Sequence, residues 1–340
     1  MSGPGKSSAE ALVGKNILVT GGAGFIGSHL VDALLKSGNH VTVLDNFNDY
    51  YESSIKRQNI LNHLKYSTYR LIEGDVRDKA KVAEAFSHGP FVAVVHLAAL
   101  AGVRQSIERP AAYMDVNING TQLLIDESLR NAAGRLVFGS SSSVYGERSK
   151  GQFLETDKVD RPLSPYAASK AAGELLCHAA HHTRGLPVVC LRFFTVYGPR
   201  QRPDLAIHKF CRLIEANKPL EVYGDGHSKR DYTYVDDTVS GIITSITYDL
   251  PGYDVINLGC SRTVELLEMI RILEKALGKS AKLIHKEFRS EDMPYTYANI
   301  DRARQVLGYD PGTAFETGIQ RFVEWYQQSS PLTARLSETT

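Results

Sequence analysis

A glycine-rich turn between a short apolar strand and a helix constrains this chain more than any other feature. Asn16–Thr20 is apolar, three glycines follow it in the spacing GxxGxxG, and the next segment, HLVDALLKSG, has helical character. Glycines let the backbone turn tightly and approach a pyrophosphate, and the N-terminus of the helix faces the phosphates with its partial positive charge. The pattern predicts a dinucleotide site formed in part by Gly21, Gly24, Phe25 and Ile26.

An acidic residue closes the next predicted strand. Asp45 ends the segment VTVLD, where a carboxylate can bind the diol of an adenosine ribose and repels a 2′-phosphate. This placement predicts NAD rather than NADP as the cofactor. The alternative is that Asp45 only shapes the turn after the strand.

Strand-like and helix-like segments alternate through the first half of the chain. Apolar runs predict strands at residues 41–44, 69–73, 92–97, 135–138 and 188–193, and residues 79–86 and 120–131 have helical spacing between them. Continuous apolar strands separated by helices are typical of a parallel sheet covered on both faces. The sequence therefore predicts an α/β fold with a Rossmann-type doubly wound parallel sheet.

The pattern changes after about residue 198, where Pro, Arg and Tyr become more frequent. We expect residues 15–198 to form the cofactor domain, with residues 232–260 returning to it through a helix at 235–246 and a strand at 255–258. Residues 199–231 and 261–328 are expected to form a smaller α+β substrate domain. Residues 1–14 are predicted to be a flexible leader and residues 329–340 a flexible tail.

Composition narrows the range of ligands. The 340 residues include 39 Lys and Arg against 38 Asp and Glu, and nucleic-acid binders normally carry a basic excess. We therefore expect no nucleic-acid partner, and we expect any phosphate to be bound by a few local groups. No apolar run reaches transmembrane length, so no membrane partner is expected. The four cysteines are far apart, which favours free buried thiols in a reducing cytoplasm over a disulfide framework or a metal site.

Two residues at helical spacing predict a general base. Tyr166 and Lys170 lie four positions apart in SPYAASK, so on a helix they share one face. An ammonium group favours the phenolate and is expected to lower the tyrosine pKa, which would let Tyr166 take a proton from a substrate hydroxyl. The predicted strand at 135–138 ends in a run of four serines, Ser140 to Ser143, and strand ends are where ligands lie in open parallel sheets.

The order of these motifs resembles one enzyme family. GGAGFIG, LDNFNDYY, HLAALAGVR, SSSSVYG, YAASK, LRFFTVYGP and RDYTYVDD follow one another as in the nucleotide-sugar epimerases and dehydratases, which are extended short-chain dehydrogenases/reductases. LDNFNDYYESSIKRQNI and RFFTVYGP resemble the UDP-glucuronate 4-epimerase branch most. The resemblance implies a tightly bound NAD, a C-terminal domain for a UDP-sugar, and a homodimer formed through a pair of helices from each subunit.

The resemblance also assigns residues by position. Ser141 matches the catalytic hydroxyl residue, Tyr166 and Lys170 match the base and its partner, and Asn117 matches the asparagine that orders this region. The implied cofactor contacts also include Asn46, Asp75 at the adenine, Val76, Leu97, Ala98, Ala99 and Ser140. The alternative for Asp75 is a helix cap. The implied substrate contacts are Ser141, Ser142, Ser143, Thr195, Arg202, Val222 and Tyr223, together with Arg230 and Arg289 at the diphosphate and Asp292 at the uridine ribose.

The reaction follows from groups that are missing. Dehydratases resemble TDEVYG and UDP-glucuronate decarboxylases resemble TSEVYG at the strand end, where this chain has Ser142 and Ser143. Hydroxyls cannot act as acids near neutral pH, so epimerisation at carbon 4 through a keto sugar is predicted. Thr195 resembles the glucuronate branch, and UDP-glucuronate is the expected substrate.

Other readings remain open at this point. The glucuronate branch usually reads GPWGRPDMA where this chain has GPRQRPDLA, and the small Thr296 leaves room for an N-acetyl group. The alternatives are a UDP-glucose or UDP-N-acetylglucosamine 4-epimerase, a UDP-glucuronate decarboxylase, and a catalytically silent NAD-binding protein.

Overall fold

The computed structural model describes residues 12–147, 150–249, 252–287 and 295–337, with side chains described through residue 329. The first half alternates strands and helices as β1 (Asn16–Thr20), α1 (Phe25–Lys36), β2 (His40–Asp45), α2 (Ser53–Asn59), β3 (Tyr69–Glu73), α3 (Lys79–Phe86), β4 (Ala93–His96), α4 (Val103–Glu108), α5 (Pro110–Met114), α6 (Gly120–Arg130), β5 (Leu136–Ser141), α7 (Pro165–Arg184) and β6 (Val188–Phe193).

The second half is more mixed. It contains β7 (Thr195–Tyr197), α8 (Ala206–Glu215), β8 (Pro219–Tyr223), β9 (Lys229–Tyr234), α9 (Val235–Thr247), β10 (Tyr253–Leu258), β11 (Thr263–Glu265), α10 (Leu266–Leu277), β12 (Lys282–Lys286), α11 (Asp301–Leu307) and α12 (Phe315–Ser337).

A seven-stranded sheet organises the fold, in the order β3-β2-β1-β4-β5-β6-β10. All its strand pairs are parallel. Along β1, Ile17 and Val19 belong to one apolar cluster and Leu18 belongs to the other, so both faces of the sheet are covered. The doubly wound parallel sheet predicted from the sequence is confirmed, and β10 lies at its edge beside β6.

Two small sheets lie outside the large one. β11, β9 and β7 form a three-stranded sheet, and β12 pairs with β8. Asp231 on β9 is buried and joins three segments, since it accepts hydrogen bonds from the backbone of Cys260 at 2.8 Å, Ser261 at 3.0 Å and Ala298 at 3.1 Å. This carboxylate fixes the small sheet against the end of β10.

The ends of the chain and the thiols differ in detail from the expectations. Leu12, predicted to be part of a leader, is buried in the core, and α12 continues to Ser337 into the predicted tail.

All four cysteines are free thiols, but Cys260 is only half-buried because it lies in the loop after β10. Among the described residues, no helix is both long enough and apolar enough to cross a membrane.

Candidate active site

A cavity of about 470 Å³ opens at the carboxyl ends of the strands. It lies where the strand order reverses between β1 and β4, which is the point where open α/β sheets bind ligands. Of the residues predicted from the sequence, the cavity wall includes Gly21, Gly24, Phe25, Ile26, Asp45, Asn46, Asp75, Val76, Leu97, Ala98, Ala99, Ser140, Ser141, Ser142, Ser143, Tyr166, Lys170, Thr195 and Arg202.

The glycine turn leaves space for a pyrophosphate. Gly21 has a φ of +73°, and a Cβ at this residue would lie 2.7 Å from the backbone nitrogen of Ala98. A Cβ on Gly27 would lie 2.1 Å from the carbonyl oxygen of Gly21. Only glycine allows the first turn of α1 to pack this closely on the loop, so the backbone and the helix N-terminus form a cradle that fits a dinucleotide.

Asp45, at the end of β2, borders the same cavity and is held by the loops around it. Its carboxylate accepts hydrogen bonds from the backbone of Ala23 at 3.1 Å and of Phe47 at 2.9 Å. It therefore shapes the turn after β2 and also borders the cavity. Lys56 on α2, which the sequence analysis missed, is buried in the same wall and donates to Asn48 at 2.7 Å. Burial lowers the pKa of Lys56.

Asp75 borders the cavity and does not cap a helix. Arg77 donates to it from its backbone at 2.9 Å and from its guanidinium at 2.8 Å, and Asn46 donates at 2.8 Å. These hydrogen bonds, led by those from the Arg77 side chain, lower the pKa of Asp75 to about 2. The cap of α3 is Asp78, which accepts from the backbone of Ala80 at 2.9 Å, so the alternative role for Asp75 is wrong.

Tyr166 lies in the first turn of α7, with its side chain in the cavity wall. Ser164 begins this helix by accepting a hydrogen bond from the backbone of Ala167 at 3.1 Å, and Pro165 occupies the first helical position. Burial raises the pKa of Tyr166, against the opposing effects of a hydrogen bond with Ser141 and the charge of Arg202.

The expectation that Lys170 lowers the pKa of Tyr166 is not met in this arrangement. The Lys170 ammonium donates to the carbonyl oxygen of Gly139 at 2.7 Å, at the end of β5. Burial lowers the pKa of Lys170 itself to about 8. Both residues lie on the predicted helix, and the cavity wall brings them together with Ser141.

A buried ion pair joins α7, the helix that carries Tyr166 and Lys170, to the neighbouring strands. Glu174, one turn after Lys170, accepts two hydrogen bonds from Arg192 at 2.9 and 2.7 Å and one from Ser140 at 2.5 Å. The pair ties α7 to β5 and β6. Glu174 was not among the predicted site residues, although it continues the four-residue spacing of Tyr166 and Lys170.

Asn117 acts as a bridge between the loop after β4 and α7. Its side chain accepts from the backbone of Leu100 at 2.8 Å, and donates to the carbonyl oxygen of Leu100 and to Ser169, both at 2.9 Å. Asn117 is therefore placed to order the region around the predicted base.

The predicted sugar-nucleotide residues are more dispersed. Tyr223 lies under the guanidinium of Arg104, 5.5 Å from ring centroid to the Arg104 Cζ. Val222 is fully buried in the core and does not border the described cavity. Arg230 donates to the carbonyl oxygen of Lys229 at 3.3 Å. Arg289 and Asp292 lie outside the described residues.

Thr296 and Arg200, which bear on the choice of sugar in the sequence, make contacts within the protein. Thr296 is buried, and its hydroxyl accepts from the backbone of Asp231 at 3.1 Å. Arg200 has a φ of +62° and pairs with Asp32 on α1 at 2.8 Å. Neither side chain contributes to the described cavity wall.

A doubly wound sheet, a glycine cradle and a Ser-Tyr-Lys group at one cavity define a dinucleotide-dependent enzyme of the short-chain dehydrogenase/reductase class. Residues 17–259 match the model of the NAD dependent epimerase/dehydratase family. The chain belongs to this family, which confirms the predicted family and the predicted cofactor, NAD.

Three known proteins illustrate the similarity. The chain is 41% identical over 318 residues to a UDP-glucuronate 4-epimerase of Thermodesulfobacterium geofontis, covering 93% of this chain and 97% of that protein. A crystal structure of UDP-glucuronic acid 4-epimerase from Bacillus cereus with UDP-glucuronic acid and NAD is 37% identical, with a TM-score of 0.86 and coverage of 92% and 99%. UDP-glucose 4-epimerase from Thermotoga maritima with UDP-glucose is 30% identical, with a TM-score of 0.84 and coverage of 93% and 99%.

Proposed function

We propose that this chain interconverts UDP-glucuronate and UDP-galacturonate by NAD-dependent epimerisation at carbon 4. The observation that carries the proposal is the hydroxyl-lined end of the cavity. Ser142 and Ser143 stand where the dehydratase pattern has an Asp-Glu pair, and Ser143 stands where the decarboxylase pattern has its one Glu. Thr195 and Arg202 complete this end of the cavity. The relatives named UDP-glucuronate 4-epimerase support the choice of sugar.

The catalytic group suits reversible oxidation of a sugar hydroxyl. Tyr166 accepts the proton of the hydroxyl on carbon 4, and Ser141 hydrogen-bonds the same oxygen. NAD, when bound, would supply a reversible hydride acceptor for carbon 4. Lys170 would hold the ribose of the cofactor next to Tyr166. The keto sugar turns over in the cavity before the hydride returns, and Tyr166 gives the proton back to the oxygen on carbon 4.

Retention of the sugar carboxylate requires fixed hydrogen bonds. A 4-keto uronate is a β-keto acid and loses carbon dioxide when the breaking bond aligns with the ketone π-system. The hydroxyls of Ser142, Ser143 and Thr195, with the cation of Arg202, hold the carboxylate out of this alignment and keep it charged. The acids in the described cavity wall are Asp45 and Asp75, which lie at the side proposed for adenosine, and Asp204 is paired with Arg202.

We assign the uridine diphosphate part of the substrate to a smaller C-terminal unit, residues 199–231 and 261–328. The cofactor is assigned to residues 15–198 together with residues 232–260. Tyr223 is proposed to contact the uridine, and Arg230 the diphosphate. Arg289 at the diphosphate and Asp292 at the uridine ribose remain predictions from the sequence.

We propose a cytoplasmic homodimer as the working form. Leu175 on α7 is 70% exposed and Ile107 on α4 is 51% exposed, and the two helices are neighbours in the fold. Large apolar side chains on adjacent helices favour burial against a second copy. Free thiols agree with a reducing compartment.

A proton NMR assay over a panel of UDP-sugars tests the proposal. Purified protein is incubated with UDP-glucuronate, UDP-glucose, UDP-N-acetylglucosamine and UDP-xylose, and the anomeric signals report each isomer. UDP-galacturonate should appear from UDP-glucuronate with a higher kcat/KM than any neutral sugar shows. A preference for a neutral sugar contradicts the uronate assignment and leaves the epimerase assignment in place.

A further inference from the structure

We infer that Tyr50 is a further specificity-determining residue, which holds the carboxylate of the sugar together with Arg202. The inference rests on the proposed function. Tyr50 lies in the loop between β2 and α2, and Arg202 lies in the loop after β7, yet the cavity wall brings the two side chains together.

The ring of Tyr50 fixes the guanidinium of Arg202. The Arg202 Cζ lies 4.9 Å from the Tyr50 ring centroid, within the range of a cation–π contact. The carboxylate of Asp204 accepts hydrogen bonds from Arg202 Nε at 3.0 Å and from Nη2 at 2.6 Å. The Tyr50 ring thus covers one face of the guanidinium, and Asp204 occupies one of its edges. The edge at Nη1 makes no hydrogen bond with the described residues, so it can receive an anion.

The hydroxyl of Tyr50 is a buried donor that a ligand can satisfy. Within the described ranges no hydrogen bond of good geometry reaches it. Burial raises the pKa of Tyr50 and the nearby hydroxyl of Tyr113 opposes that rise, but the Tyr113 hydroxyl donates its proton to the carbonyl oxygen of Ala101 at 3.1 Å. A Cβ on Gly102, a cavity residue with a φ of +118°, would lie 2.4 Å from the Tyr50 oxygen. A buried unpaired hydroxyl is costly, so the geometry points to a ligand oxygen as its partner.

Tyr50 lies near Tyr166, and therefore near the position proposed for carbon 4 of the sugar and not near that of the uridine diphosphate. Tyr113 is a neighbour of both residues: its hydroxyl lies close to that of Tyr50, and its ring packs edge-on against Tyr166 with ring centroids 6.3 Å apart. Tyr166 must reach the oxygen on carbon 4, and the carboxylate of a uronate is attached to the adjacent carbon 5. The diphosphate is attached to carbon 1, across the sugar ring. A charged group close to Tyr166 on this side is therefore the sugar carboxylate.

Two substitutions separate the roles of ring and hydroxyl. Tyr50→Phe removes only the hydroxyl and should lower kcat/KM for UDP-glucuronate by about 10- to 100-fold, the effect of losing a hydrogen bond to a charged group. The value for UDP-glucose should change less than about threefold, because a neutral sugar presents no charge to Tyr50. Tyr50→Leu also removes the platform under Arg202 and should have the larger effect. Tyr66→Phe, at an exposed tyrosine outside the described cavity wall, is the matched control.

Binding and by-product measurements complete the test. Calorimetry with UDP-glucuronate and UDP-glucose reports the same selectivity without turnover, and the released UDP-pentose should rise in Tyr50→Phe. Equal losses for both sugars, or unchanged selectivity with the NAD content and thermal unfolding of wild type, overturn the inference. Absence of UDP-glucuronate turnover in the wild type counts against the proposed function, and calorimetry then decides separately whether Tyr50 favours the charged sugar.

Discussion

Tyr166 is placed where burial and hydrogen bonding act on its pKa in opposite directions. Burial raises the pKa and a hydrogen bond with Ser141 lowers it, together with the charge of Arg202. The Lys170 ammonium points to Gly139 instead of acting directly on the phenol. Formation of the phenolate therefore depends on additional positive charge, which a bound nicotinamide supplies.

Tyr166→Phe should abolish most of the turnover because it removes the hydroxyl proposed as the general base. No other described hydroxyl in the cavity lies in the first turn of α7. A general base contributes roughly 10²- to 10⁴-fold to the rate, so the NMR assay should show a loss of this size. The bound nucleotide, measured after denaturation, should remain at the wild-type level. Activity within a few-fold of wild type means that Tyr166 is not the base.

Substitution of Thr195 tests whether this residue binds the carboxylate of the sugar. Thr195→Val keeps the shape of the side chain and removes the hydroxyl proposed to hold the carboxylate. UDP-glucuronate should bind roughly tenfold more weakly, as expected for one hydrogen bond to a charged group, and more UDP-pentose should be released. Unchanged UDP-glucuronate binding together with an unchanged by-product fraction places Thr195 away from the carboxylate.

At the scale of elements, the contact between the glycine turn and α1 decides whether the cofactor binds. The first turn of α1 packs directly on the turn because both contact positions lack a Cβ. The helix axis, and with it the position of the N-terminal amides, is fixed by this close approach.

Gly27→Ala should therefore release NAD. The new Cβ would lie 2.1 Å from the carbonyl oxygen of Gly21, so the helix must move away. Overpacking of this kind costs about 1–3 kcal/mol, which weakens NAD binding roughly 5- to 150-fold. Gly312→Ala, where an added Cβ meets nothing within 4 Å, is the control. Full retention of nucleotide in Gly27→Ala shows that the cradle does not set the affinity.

The whole molecule joins two units around one cavity. β10 and α9 belong to the second half of the sequence, but β10 completes the large sheet beside β6. Loops from both halves line the same cavity, with Asp45 and Tyr50 from one and Thr195 and Arg202 from the other. The residues proposed to bind the cofactor and the sugar therefore come from both halves of the chain and meet at one cavity.

The proposed dimer gives a prediction at this scale. Leu175→Arg places a charge on the exposed face of α7 and should convert a dimer into a monomer at micromolar concentration, as measured by light scattering. Leu283→Arg, at a 40% exposed leucine on β12, should leave the mass unchanged. A monomeric wild-type protein rules out the proposed interface.

The sequence by itself determined the features that depend on local pattern. The glycine spacing after Asn16–Thr20, the acid at Asp45 and the four-residue interval from Tyr166 to Lys170 each carry their own physical reason, because turns, strand ends and helix faces are short-range properties. The motif order then identified the family, and apolar runs placed most strands of the sheet within a few residues.

Only the tertiary structure decided which distant side chains meet. The ion pair of Glu174 with Arg192 joins a helix to a strand, and the stacking of Tyr50 on Arg202 joins loops from opposite halves of the chain. Such contacts leave no periodic signal, since burial against a partner far along the chain depends on how the elements pack. The pKa of Tyr166 was set in the same way, by burial and long-range neighbours that spacing along one helix does not reveal.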